Sequence, residues 1–212
     1  VDRGRRPHGP TVGADHRLGD RVVSRESLHT SAVEALTAWN APDVEQDALR
    51  HAYLAFLASA PDACLRRCVA GHLTASAVVF DATLDHVLLT LHPRVGKWIQ
   101  LGGHCEETDD RLADAALREA REESGIADLA LSGGIVTLHT HPITCSLGVP
   151  TRHLDVRYRA VAPPTHDGSL PDIECSDESV DLRWWPVAAL PETARTGDMW
   201  TLITRGRARR VA

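Results

Sequence analysis

From Ser31 the apolar residues fall into a helical rhythm, with Ala32, Val33, Leu36 and Trp39 on one face, and Asn40-Ala41-Pro42 ends the run. Asp43 then stands where an N-cap is wanted, and Ala48, Leu49, Ala52, Leu54, Ala55 and Leu57 supply the apolar face of a second helix. The pattern predicts a helical hairpin over residues 29–68, packed on a main domain at 69–212. Ahead of it, residues 1–28 are polar, rich in Gly, Arg and His and without periodicity, and read as a flexible tail. From His72 the period changes to two: Leu73, Ala75, Ala77 and Val79 alternate with Thr74, Ser76 and Val78, as in a strand. His86 to Leu91 forms a second strand, with a hairpin turn at Asp81–Asp85 between them. Trp98 to Leu101 is short and extended, and Gly102-Gly103 is expected to break it. Arg111 to Ser124 is strongly helical, with Gly125 placed for a left-handed C-terminal residue. Further strands are expected at Ile135–His139, Leu154–Val161 and Val180–Trp184, and helical pieces at Pro186–Leu190 and Trp200–Arg207. Strands around a helix, with a helix at the end, indicate a mixed α/β (α+β) domain.

Composition narrows the function classes. The chain has 212 residues, and a formal charge of -6 gives no electrostatic case for binding nucleic acid. No stretch approaches the ~20 apolar residues of a membrane span, and Val1 to Arg21 has no apolar run of a signal peptide. Five cysteines without a pairing framework fit a reducing cytoplasm.

The chemistry concentrates between Gly102 and Ile126. On a helix, Glu119, Glu122 and Glu123 stand at i, i+3 and i+4, so their carboxylates converge on one face. Leu112, Ala113, Ala116, Leu117 and Ala120 form another face that anchors the helix in the core. Crowded carboxylates repel one another unless a cation neutralises them, and hard oxygen ligands at this density suit Mg²⁺ or Mn²⁺. The same face suits a diphosphate, whose charge needs the metal. Arg118 lies one turn before Glu122, within reach of its carboxylate, and Gly102-Gly103 lets the backbone pass close to metal and phosphates. Taken alone, the Arg118–Glu123 run describes a solvated acidic helix with Arg–Glu pairs. The preceding strand, the double glycine and the following glycine favour the metal site.

Here the sequence resembles the Nudix hydrolases. Their box is Gly, five residues, Glu, seven residues, then Arg-Glu-aliphatic-x-Glu-Glu-x-Gly-aliphatic. Arg118-Glu119-Ala120-Arg121-Glu122-Glu123-Ser124-Gly125-Ile126 matches the right half, with small Ala120 in place of a larger aliphatic residue. The left half departs. Five residues after Gly103 lead to Asp109, whereas seven before Arg118 lead to Asp110, so one residue is inserted and Asp replaces Glu. Either aspartate fills the acidic position. The phrases KWIQLGGH and SDESVDLRWWPV further resemble a group of actinobacterial Nudix proteins with a helical N-terminal extension. The resemblance implies an α/β/α sandwich with a mixed central sheet over about residues 70–205, Mg²⁺ or Mn²⁺ as cofactor, and a small-molecule diphosphate as substrate. It implies metal ligation by Glu119, Glu122, Glu123 and the Gly103 carbonyl, with Arg118 orienting the glutamates, and catalysis by Glu122, Glu119, Arg118 and a general base. That base is a box glutamate or a later loop carboxylate, Glu178 first and Asp177 next. A homodimer is the family's frequent habit. The expected activity is hydrolysis of a diphosphate linkage in a nucleotide sugar, ADP-ribose or coenzyme A type molecule, or in a nucleoside triphosphate. The alternative is a sensor that binds a nucleotide without turnover, which does not need three converging carboxylates. An isomerase on the same fold lacks support from a reactive cysteine.

Other residues are candidate binding groups. Trp98, His104 and His139 are candidates for touching substrate, by base stacking or phosphate contact, as are Trp184 and Trp185. Core packing is an equal reading of the tryptophans. Cys64-x3-Cys68-x3-His72 has ligand-like spacing but no fourth partner nearby, so a buried thiol pair is the plainer reading. His139-x-His141 places two imidazoles on one side of a strand, without a third ligand in view. Cys105 as a nucleophile would need an activated thiolate, for which the sequence offers little.

Overall fold

The computed structural model describes residues 16–144, 148, 150–177 and 179–208, with the side chains of 16–25 excepted. Two helices come first, α1 at His16–Ala38 and α2 at Val44–Ser59. Helix α1 begins fifteen residues before Ser31, so the span read as a tail includes helix from His16 onward, and residues 1–15 lie outside the described residues. Leu28, Ala32 and Leu36 recur at four-residue spacing and are buried, which seats α1 on the main domain. Asp43 caps α2 as expected: its backbone is extended and its side chain accepts from the Gln46 amide.

Eight strands follow: β1 His72–Phe80, β2 His86–His92, β3 Lys97–Ile99, β4 Leu101–His104, β5 Ala130–Leu131, β6 Thr137–Thr144, β7 Pro150–Val161 and β8 Asp181–Pro186. They form one mixed sheet in which β1 runs parallel to β7 and antiparallel to β2 and β4. One edge of β1 is shared: β4 pairs with Thr74–Ala77, and β2 takes over at Val79–Phe80. Beyond them β2 pairs with β3 and β8, and β7 pairs with β5 and β6. Helix α3, Leu112–Ser124, covers one face of the sheet and α4, Gly197–Ala208, the other, which completes the α/β/α sandwich. Gly206 of α4 lies so close to Phe80 and Val78 that a Cβ there would stand 3.0 Å from both.

Strand β1 is buried along its whole length rather than alternating in and out. Leu73 and Ala75 face α1 and α2 together with α3, whereas Val78 and Phe80 face α4. Thr74 and Ser76 are buried as well, because β1 is a central strand and their hydroxyls are satisfied by a carboxylate, Asp155. The double glycine does not end a strand. It lies inside β4, and the interruption falls two residues before it, at Gln100. Strands β6 and β7 extend further toward their connecting loop than expected, as an antiparallel pair from Thr137↔Arg157 to Thr144↔Pro150. Helix α3 packs through Leu112, Ala115, Ala116 and Ala120, and Gly125 adopts the left-handed conformation (φ 72°) that ends it. Small Ala120 is fully buried in the cluster that holds Ala77, Val79, Leu101 and Leu129. Among the described residues no helix is long and apolar enough to cross a membrane.

Candidate active site

Strand β4 and helix α3 build the site between them. Gly102 has φ 147°, and a Cβ there would fall 2.3 Å from the Ser76 Cβ, so only glycine lets β4 lie this tightly on β1. At Gly103 a Cβ would come within 2.6–2.8 Å of the Glu119 carboxylate, so the space beside that backbone holds the carboxylate. The Gly102 amide donates to Glu123 Oε2 at 2.8 Å. Two carboxylates one helical turn apart thus rest on two consecutive glycines. Glu122 is more open, its side chain 60% exposed against 15% for Glu119, and joins them through Arg118.

Arg118 is the hub. It donates to Glu119 Oε1 and Glu122 Oε2 at 3.1 Å each, to the His104 carbonyl at 3.0 Å, and to both oxygens of Asp109 at 3.2 and 3.0 Å. Desolvation works against its charge, but the bonds to Asp109 and the Asp109 and Glu119 charges outweigh it and hold the guanidinium above its usual pKa. The two candidate aspartates are therefore distinguished. Asp109 is buried, pairs with Arg118 and accepts the Glu106 amide at 2.8 Å. Asp110 is exposed and accepts from Ser27 Oγ at 3.0 Å. The spacing from Gly103 is kept, and the extra residue lies between Asp109 and Arg118.

A cleft of about 440 Å³ opens beside this face, lined by Gly103, His104, Glu123, Arg66, Arg94 and Asp177 among others. Its floor is a buried polar network around Asp155. Oδ2 accepts from Ser76 Oγ at 2.9 Å, Gln100 Nε2 at 3.0 Å and Arg157 Nε at 2.9 Å, and Oδ1 accepts from Thr74 Oγ1 at 3.2 Å. Arg157 continues to Asp198 Oδ2 at 3.0 Å. His141, His153 and His104 line the cleft and continue to the buried His72, with successive ring-to-ring distances of 5.2, 4.9 and 5.1 Å. Burial, then the Arg66, His153 and His72 charges, pushes His104 down to about 3. Burial, with His72 and His141, pushes His153 down to about 4.

The structure thus gathers Gly103, His104, Arg118, Glu119, Glu122 and Glu123 at one place. Trp98 and His139 do not line the cleft. Trp98 packs edge-on against Trp185 at 5.2 Å, on the α4 side of the sheet, with the Arg183 guanidinium 5.8 Å from its ring. His139 turns toward Asp198, at 3.6 Å, while His141, its neighbour on the same strand face, reaches the cleft. Trp184 donates Nε1–H to the Pro171 carbonyl and packs in the core. Glu178 lies outside the described residues; Asp177 beside it lines the cleft. Cys105 is buried, and burial holds its thiol well above the usual range, opposite to what a nucleophile needs. Sequence reading missed Asp155, Arg157 and His153. Their signal was polar residues alternating with apolar ones in a strand, which normally marks a solvent face.

Comparison with known families supplies the decisive observation: a family model described as NUDIX domain matches residues 71–205. The chain belongs to this family. It is a Nudix pyrophosphohydrolase. Solved structures include similar ones: a NUDIX-family hydrolase from Clostridium perfringens, at 23% identity, covers 65% of this chain and 95% of its own with a TM-score of 0.44. A C. elegans Ap4A hydrolase is 20% identical over 63% of this chain and 93% of its own, with a TM-score of 0.44. The E. coli dihydroneopterin triphosphate pyrophosphohydrolase is 19% identical over 66% and 94%, with a TM-score of 0.47. No curated protein matches the chain.

Proposed function

We propose that this Nudix enzyme hydrolyses the diphosphate linkage of a nucleoside diphosphate derivative, or of a nucleoside triphosphate, with Mg²⁺ or Mn²⁺ held by Glu119, Glu122, Glu123 and the Gly103 carbonyl. The observation that carries this reading is the seating of the Glu119 and Glu123 carboxylates on the Gly102–Gly103 backbone, with Arg118 bracing Glu119 and Glu122. Oxygen donors of this kind fit a hard dication, since their mutual repulsion is relieved only by positive charge. A bound ion supplies charge neutralisation to the diphosphate and an acidified water.

The chain's own residues do the remaining work. Arg118 fixes the rotamers of Glu119 and Glu122, so that little reorganisation is needed when substrate binds. Arg94 and Arg66 on the cleft wall offer cationic donors for phosphate oxygens, and His104 stands beside them. The proton of the attacking water goes to a carboxylate oxygen, from a box glutamate or from the loop that carries Asp177 and Glu178. Trp98 and His139 are not proposed as substrate contacts, for the reason of placement given above. A cytoplasmic, homodimeric enzyme fits this reading.

The test is phosphate release from a panel of nucleoside diphosphate derivatives and triphosphates with Mg²⁺ or Mn²⁺, comparing the wild type with Glu122→Gln. Metal-dependent turnover that collapses in the variant is the expected result, and the best substrate names its class. Tight nucleotide binding without turnover on any compound overturns the hydrolase in favour of a sensor.

A further inference from the structure

Three strands deliver three imidazoles to one point at the end of the sheet. His72 is the first residue of β1, His104 the last of β4, and His153 lies on β7 directly opposite His72 in the register. Thr74 pairs with His104 across the other edge of β1, so the three backbones are fixed to one another by the ladders. One ligand nitrogen from each ring lies within 4.8 Å of the other two. We propose that His72, His104 and His153 form a second metal site, a three-histidine site for a first-row divalent cation, zinc foremost, separate from the glutamates of the Nudix box.

The hydrogen bonding points to a missing ligand. His72 is 1% exposed, and its Nδ1–H donates to the Cys68 carbonyl at 3.3 Å. That bond fixes the tautomer and leaves a lone pair on Nε2. His72 Nε2 is buried and makes no hydrogen bond, and His153 Nε2 is in the same condition. Two buried nitrogens without partners each carry an uncompensated desolvation penalty. A cation satisfies both at once. The Cys68 carbonyl then acts as the outer partner that ligating histidines nearly always have.

The donor set selects the metal. All three donors are neutral imidazoles, which burial favours at His72 and His153 by opposing their protonation. Imidazole suits zinc and its neighbours, whereas Mg²⁺ needs oxygen. Bonds of ~2.0–2.1 Å in a tetrahedron require donors about 3.4 Å apart, so a small inward adjustment closes the present spacing. Three protein ligands leave one position open. His104 and His153 line the cleft, so that position faces it and takes a water or an oxygen of whatever the cleft holds. One feature opposes a cation here: the exposed Arg66 donates from Nη2 to His104 Nδ1 at 2.9 Å. Its side chain must swing aside on metal binding, so Arg66→Gln should tighten the site.

Cys64, Cys68 and His72 have ligand-like spacing, but only His72 enters this site and the thiols stay outside it, as the plainer reading of the sequence had it. Burial pushes the Cys64 thiol up to about 12, and Cys68 contributes its carbonyl.

The experiment measures Zn²⁺ by chelator competition and Co²⁺ by its visible ligand-field spectrum, on metal-stripped full-length protein. The comparison is among the wild type, His72→Ala, His104→Ala, His153→Ala and the double variant Glu119→Gln/Glu123→Gln. Expected is one tightly held Zn²⁺ per chain in the wild type and in the glutamate variant, with a tetrahedral nitrogen-type Co²⁺ spectrum in both. Each histidine variant should weaken zinc by more than the ~10–100-fold that losing an outer partner costs. His104→Ala, at a half-buried position, serves where the buried His72→Ala fails to fold, and the wild-type Co²⁺ spectrum needs no variant. The proposal is overturned by a wild type that binds no stoichiometric Zn²⁺ or Co²⁺, by undiminished binding in folded histidine variants, or by loss of binding in the glutamate variant.

Discussion

Arg118 and Asp109 form a two-pronged ion pair, Nε to Oδ1 at 3.2 Å and Nη2 to Oδ2 at 3.0 Å, that ties the loop before α3 to the helix carrying the glutamates. Asp109 is 6% exposed and Arg118 22%, so the pair is shielded on one side and wet on the other. Removing Asp109 leaves the guanidinium half-compensated and frees it to rotate away from Glu119 and Glu122. Asp109→Ala should cost about 2 kcal/mol of stability in urea unfolding, below the 3–5 of a fully buried pair. It should also lower metal-dependent turnover. Asp110→Ala should change both within error, because its partner Ser27 is at the surface. Equal effects of the two substitutions would refute the assignment of Asp109 to the acidic position.

The two glycines of β4 should fail differently. An alanine at 102 would need φ 147° and would overlap the Ser76 backbone and Cβ, neither of which can move without parting β4 from β1. Gly102→Ala should therefore lose about 3 kcal/mol or more, as strain and overpacking combine. An alanine at 103 meets the end of the Glu119 side chain, which can rotate. Gly103→Ala should melt within a few degrees of the wild type while losing most of its turnover. Thermal unfolding and kcat measured side by side check the split.

This contrast also shows what was legible in the sequence. The Arg118–Gly125 run was readable because helix periodicity, a left-handed stop at Gly125 and three carboxylates on one face all agree. The two helices ahead of β1 were readable from the Asp43 cap and their apolar spacing. The cleft floor was not. Asp155, Arg157 and Arg159 alternate with Leu154, Val156 and Tyr158, which reads as a half-exposed strand, yet all six are buried. Their charges are satisfied at long range in sequence: Arg157 by Asp198, and Arg159 by the Gly206 carbonyl and Ser132. Pattern alone does not announce partners 41 or 47 residues away. Nor does it announce three histidines that meet only because β1, β4 and β7 are neighbours.

Gln46 of α2 acts as a surrogate strand partner for β6. Its Nε2 donates to the Leu138 carbonyl at 3.0 Å, and its Oε1 accepts the Leu138 amide at 2.7 Å. Tyr53 adds a bond from its hydroxyl to the His139 carbonyl at 2.7 Å. The helical extension thus covers a sheet edge that would otherwise be open. Gln46→Ala should cost about 1–3 kcal/mol, the penalty of unpaired backbone groups. Tyr53→Phe should cost about 1 kcal/mol as a single lost bond. Urea midpoints check both, and faster amide exchange at Leu138 in Gln46→Ala locates the effect.

Asp198 supplies a dependence on pH. Desolvation raises its pKa, but Arg157 and His139 outweigh that and hold the carboxyl below the usual range. A carboxylate whose folded pKa lies below its unfolded value stabilises the protein above the unfolded pKa, and the gain is lost as pH falls through the folded one. Asp198→Asn should therefore lower the melting temperature at pH 7, and the gap to the wild type should close as the pH falls below about 4. A gap that widens in acid would show that the Asp198 charge opposes folding.

Asp155 and Arg157 test whether the cleft floor serves stability or function. Each is about 4% exposed, and Asp155 also receives Thr74, Ser76 and Gln100. Asp155→Ala removes the partner of a buried guanidinium and strands three donors, so a loss of about 3–5 kcal/mol is expected. Arg157→Leu leaves Asp155 with three neutral donors and should cost less than Asp155→Ala, because those donors still hold the carboxylate. Paired with Asp155→Leu, it should recover part of the loss, as apolar replacement of buried ion pairs often does. If the double variant regains stability without turnover, the network positions substrate or β4 for the reaction. If turnover returns with stability, the floor is scaffold, and the chemistry belongs to the α3 face alone.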